Sequence, residues 1–138
     1  YLWAQLEEAD KINERRLLLW KRYYEALQPL ADAGRLVLAT VPEGLVHNAH
    51  MFYIKLKDVE ERTEFNEFMK SHGILTVFHY VALHTSPAGL EFGRFHGEDK
   101  YTTKESDRLV RLPMFYNMTD AEQQTVIEQI KAFFAQCR

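Results

Sequence analysis

The sequence predicts an α/β domain of the α+β kind: a small, mostly antiparallel sheet covered by helices on one face, with a long helix in front of it. Three observations carry this. Leu2, Leu6, Ala9, Ile12, Arg16, Leu19, Tyr23 and Leu27 recur at steps of three or four, which aligns them in one stripe of a long helix. Short β-branched and aromatic runs follow, joined by a tight turn or a single helix. The chain then closes on "TDAEQQTVIEQIKAFF", where Thr119 and Glu122 form a capping box ahead of an apolar face of Val126, Ile127, Ile130, Phe133 and Phe134.

Each element has its own signal. Pro29 is expected to end the first helix, because a proline lacks the N–H that the next turn needs. "RLLLW" makes that helix apolar on more than one side, as a helix touching two bodies would be. After the break at "DAG", "RLVLAT" reads as a strand and "VPEG" as a turn. "NAHMFYIKL" alternates His50, Phe52, Ile54 and Leu56 on a buried face with Met51, Tyr53 and Lys55 on the other. "DVEERTEFNEFMKSHG" reads as a helix of about three turns with early acids and Gly73 as its stop. "ILTVFHY" reads as a second core strand, and residues 85–103 as a long loop. "TKESDRLVRLPMFY" gives a short helix, then a strand near Leu112 that Pro113 should confine to an edge or an end.

Composition narrows the function classes. A chain of 138 residues, 46% hydrophobic and 27% charged, suits one domain with a core. The net charge of −3 and scattered Lys and Arg argue against nucleic acid as a partner. No apolar run has the length of a membrane span, and Cys137 alone cannot form an intramolecular disulfide, so a cytoplasmic setting is expected. The chain starts at Tyr1, without an initiator methionine, and reads as a piece of something larger.

Six histidines raise the question of a metal, but no Cys or His pair has ligand spacing, and none is expected. His79 and His84, five apart, fall on opposite faces of a strand. His50 is expected to lie buried under the sheet, and His72 to interact with the dipole at a helix C-terminus. Cys137 is a poor nucleophile candidate at the penultimate position. "GRFHGED" is no phosphate-cradling loop, although Arg94 is placed to meet an anion. What remains is His79, Tyr80 and His84 where a strand gives way to a loop carrying Arg94, His96 and Lys100. Such a cluster either lines a ligand site or pins the loop by hydrogen bonds, and spacing alone leaves both open.

"ERRLLLWKRYYEAL", "NAHMFYIKL", "HGILTVFHYVALHTSPAG" and "RLPMFY", with the final amphipathic helix, resemble the C-terminal part of the sugar-nucleotide aminotransferases, DegT/DnrJ/EryC1/StrS-type enzymes of the fold-type-I pyridoxal-phosphate class. The stretch from "FHYVALH" to "RLPMFY" is most similar to the subgroup acting on dTDP-4-keto-6-deoxyglucose, which forms dTDP-4-amino-4,6-dideoxygalactose for surface polysaccharide. A proline is common in the family where Ala82 stands here.

The resemblance implies a long interdomain helix over residues 1–30 and a small C-terminal domain over 31–138, with the catalytic large domain upstream. It implies pyridoxal 5'-phosphate held by that large domain, since none of the eight lysines here sits in the family's Schiff-base motif. It assigns this chain no catalytic, cofactor-binding or metal-binding residue. By resemblance, Tyr80 and His84 face the nucleotide sugar, His79 braces the turn, and Arg94 meets a phosphate. A homo-oligomer, a nucleotide-sugar substrate and glutamate as amino donor are implied as well. A free-standing α+β module that binds a small ligand or a protein is the competing reading.

Overall fold

The computed structural model describes residues 2–136. In chain order it has α1 (Leu2–Glu7), α2 (Ala9–Asp32), β1 (Val37–Leu38), β2 (Phe52–Lys55), α3 (Val59–Ser71) and β3 (Val77–Phe78). A 3₁₀ turn (Leu83–Thr85), α4 (Pro87–Phe92), α5 (Thr102–Arg108), β4 (Leu109–Leu112) and α6 (Asp120–Gln136) complete it. The sheet runs β1-β2-β4-β3, and every neighbouring pair is antiparallel. Leu19, Tyr23 and Leu27 of α2, Phe65 and Met69 of α3, and the apolar face of α6 pack on Phe52, Ile54, Val110 and Leu112 of the sheet. The expected fold class is the observed one.

Gly73 stops its helix as expected, and Gly34, not Pro29, closes α2. Gly34 and Gly73 take φ of +69° and +74°, and each closes its helix by the paired bonds of a Schellman motif. Gly34 N–H donates to Ala31 and Arg35 N–H to Leu30; Gly73 N–H donates to Lys70 and Ile74 N–H to Met69. At the start of α3, Asp58 accepts from the Glu61 N–H at 2.9 Å. The capping box of α6 forms in both directions, Glu122 N–H to Thr119 Oγ1 at 3.2 Å and Thr119 N–H to Glu122 Oε2 at 2.7 Å.

Several expectations are corrected. Pro29 does not end the helix: α2 continues to Asp32, because a proline in the last turn removes only a single intrahelical bond. The first helix instead divides at Glu8 (φ −105°, ψ 10°). β4 lies inside the sheet, between β2 and β3, since Pro113 falls one residue past the ladder. The Pro113 carbonyl accepts from the Tyr23 hydroxyl at 2.8 Å, and burial pushes that phenol well above its ordinary pKa. β3, expected in the core, is a two-residue edge strand with Phe78 48% exposed. His50 is exposed, because Ala49 turns the chain at φ +48° and the alternation begins only at Phe52. Arg16 donates to the Ala49 carbonyl at 3.1 Å and to that of His50, holding this turn against α2.

Residues 85–103, read as loop, hold α4. Its signal is Ser86–Pro87: the serine hydroxyl accepts from Gly89 N–H at 3.0 Å, and proline suits the first helical position. Cys137 lies outside the described residues. No helix among the described residues is long and apolar enough to cross a membrane.

Candidate functional site

β3 delivers the chain to the 3₁₀ turn, and α4 folds straight back on it. Gly89 makes that return tight, since a Cβ there would sit 1.8 Å from the Leu83 carbonyl oxygen. Thr85 and Ser86 hydroxyls donate to the Ala82 and Leu83 carbonyls at 2.9 and 2.7 Å, which fixes the turn that carries His84.

His84 Nε2 lies 2.7 Å from Asp99 Oδ2, and its ring packs on Phe95 with centroids 4.3 Å apart. The Asp99 carboxylate also takes the Thr103 hydroxyl at 2.5 Å and the backbone N–H of Thr102 at 3.0 Å and of Thr103 at 3.3 Å, so it caps the start of α5 while holding the histidine. The Thr103 hydroxyl, then the His84 hydrogen bond, hold the Asp99 carboxyl below the usual carboxylate range. Beside this pair opens a cleft of about 470 Å³, lined by Leu83, His84, Phe92, Arg94, Phe95 and Thr102 among others. Arg94 is exposed and has no ion pair among the described residues.

The four residues named from sequence divide into two pairs. His84 and Arg94 share the cleft, whereas Tyr80 and His79 are not among its lining residues. Tyr80 is 69% exposed, its carbonyl accepts from the Ser106 hydroxyl, and the His79 ring meets its ring edge-on at 4.5 Å. His79 Nδ1 is buried with no hydrogen-bond partner among the described residues. His96 is exposed, and Lys100 pairs on the surface with Glu98 at 3.4 Å. His72 caps α3, its Nδ1 2.9 Å from the Phe68 carbonyl.

Asp99, Thr103 and Phe95 were not singled out from sequence. Tyr101 stands at the N-cap of α5, so Asp99 falls outside the position where a cap is read from sequence. Its bond to His84, fifteen residues back, has no periodicity to announce it.

An aldehyde cofactor needs an amine to anchor it, and no lysine lines this cleft. Lys55 is tied to Glu105 at 2.7 Å, and Lys11, Lys21, Lys57 and Lys100 pair with acids on the surface. This cleft therefore makes no anchoring site for pyridoxal phosphate.

The fold is one found in solved aminotransferase structures. The family profile of the DegT/DnrJ/EryC1/StrS aminotransferases matches residues 1–131, and the chain belongs to that family. Aminotransferases of this family use pyridoxal phosphate. The aminotransferase TlmJ from Streptoalloteichus hindustanus superposes with a TM-score of 0.84 at 21% identity, over 98% of this chain and 35% of that one. NtdA from Bacillus subtilis, solved with bound cofactor PMP, superposes at 0.73 with 25% identity, over 89% of this chain and 28% of that one. A pleiotropic regulatory protein of Geobacillus stearothermophilus is 29% identical over 98 residues, 70% of this chain and 26% of its own length. The chain thus spans about a third or less of the proteins it matches.

Proposed function

We propose that this chain is the C-terminal part of a longer pyridoxal-phosphate-dependent aminotransferase that converts dTDP-4-keto-6-deoxyglucose to dTDP-4-amino-4,6-dideoxygalactose, with glutamate as amino donor. The observation that carries the reading is the cleft where an anchored His84 and an unpaired Arg94 face the same space, in a chain of the aminotransferase family. In this reading residues 1–30 link to the upstream catalytic domain, residues 31–138 form the small domain, and the enzyme works in the cytoplasm on nucleotide sugars for surface polysaccharide. Arg94 supplies a planar, permanently charged fork for a phosphate of the nucleotide. His84 and Tyr80 contact the sugar, and His79 braces the turn beneath them.

The test separates the two half-reactions of the full-length protein, loading of the amino group from the donor and its delivery to the ketosugar. His84→Ala slows delivery by about ten- to a hundredfold, the usual loss when a buried hydrogen bond loses one partner, and leaves loading unchanged. Single-turnover absorbance on each half, with melting curves beside them, reads this out. Equal slowing of both halves returns His84 to a purely structural role.

Association of copies belongs to the same proposal. Leu2, Trp3 and Leu6 of α1 and Leu18 of α2 are exposed, an apolar run that seldom stays solvated. Sedimentation of the chain shows a concentration-dependent oligomer; a clean monomer at high concentration overturns this.

A further inference from the structure

We infer that Asp99 is a positioning residue for His84, fixing the ring so that Nδ1 is offered to the cleft as a hydrogen-bond acceptor for a hydroxyl of the sugar. This rests on the proposed function and deepens it at one atom. An ionised carboxylate only accepts hydrogen bonds, so the contact of 2.7 Å requires the proton to be on Nε2. In the neutral ring Nδ1 then carries a lone pair, and the ring's hydrogen bonds among the described residues all fall on Nε2. Three further donors hold the carboxylate: the Thr103 hydroxyl and the N–H groups of Thr102 and Thr103. Phe95 packs on the imidazole with ring centroids 4.3 Å apart.

The polarity of the site follows from this arrangement. An acceptor at Nδ1 pairs with a group that donates, such as a sugar hydroxyl, and gives nothing to a ketone or a phosphate oxygen. Arg94, on the same cleft, has the opposite preference. The two side chains therefore read different parts of one ligand, and Asp99 sets the sense of one of them.

Asp99→Asn is the informative change. Asparagine caps a helix as well as aspartate does, so α5 keeps its start. Its amide can instead present N–H to Nε2, which moves the ring proton to Nδ1 and turns the acceptor into a donor. In the full-length protein this variant slows delivery to the ketosugar about tenfold, with loading and melting temperature unchanged. The double variant His84→Ala with Asp99→Asn is no slower than His84→Ala alone, because Asp99 acts through His84. On the chain itself, imidazole ¹⁵N shifts show His84 protonated at Nε2, moving toward Nδ1 protonation in Asp99→Asn. The inference is overturned by additive losses in the double variant, by slowing of both halves, or by a tautomer that ignores the substitution. A His84→Ala variant that delivers the amino group at the normal rate overturns the reading of His84 and this inference together. A slow His84→Ala beside a normal Asp99→Asn sinks the role of Asp99 alone.

Discussion

Titrated with pyridoxal phosphate, this chain on its own develops no saturable, lysine-dependent absorbance band, and it catalyses no transamination at all. A lysine becomes a useful nucleophile only where desolvation or a neighbouring cation strips its charge. The lysines here have the opposite surroundings. Lys55 is held by Glu105, the hydrogen bond to Glu8 raises the pKa of Lys11, and the cleft at His84 contains no lysine. The expected loss is therefore complete, not partial. A stoichiometric band that disappears on changing one lysine would falsify it.

Phe65→Ala costs about 3 to 5 kcal/mol of folding stability, the usual range for emptying a buried aromatic site. Phe65 is fully buried in α3, with the rings of Phe133 and Phe134 at 5.2 and 6.3 Å. Whole-domain stabilities are about 5 to 15 kcal/mol, so this one change takes a large share. Phe78→Ala, on the edge strand, costs less than about 1 kcal/mol, because half of its ring is already in water beside the Arg62 guanidinium at 5.6 Å. Urea unfolding of the two variants measures the contrast. Equal losses would restore β3 to the core.

That contrast shows what the sequence could convey. Signals closed within a few residues came through: the capping box at Thr119 and Glu122, the glycine stop at 73, and the apolar face of α6. Signals that depend on which strand lies next to which did not. "ILTVFHY" carries no formal charge and "RLVRL" two arginines, yet the first is the edge and the second is central, because pairing and not composition decides the place in the sheet. A single positive φ at Ala49 interrupts the alternation that the letters continue, and this puts His50 on the surface. At the cleft, His84 and Arg94 were legible as ring and charge beside a loop. Asp99 was hidden, because its partner is set by how α4 and α5 fold around the turn.

α2 is tied to the rest of the chain at several points along its length. Buried Gln123 donates to the Leu19 carbonyl at 2.6 Å, Tyr23 reaches Pro113, and Arg22 holds Asp120 at 2.7 Å. Its 24 residues extend about 36 Å. A helix clamped this way behaves as an axle, because everything on its free end turns with its length. One residue inserted between Lys11 and Glu14, ahead of the contacts of Arg15 and Arg16, rotates the N-terminal end by about 100° and advances it by about 1.5 Å, with the clamped portion left in place. The compass direction in which Leu2, Trp3 and Leu6 point is therefore set by the residue count of α2, and a length change there re-aims the apolar end without altering any side chain on it.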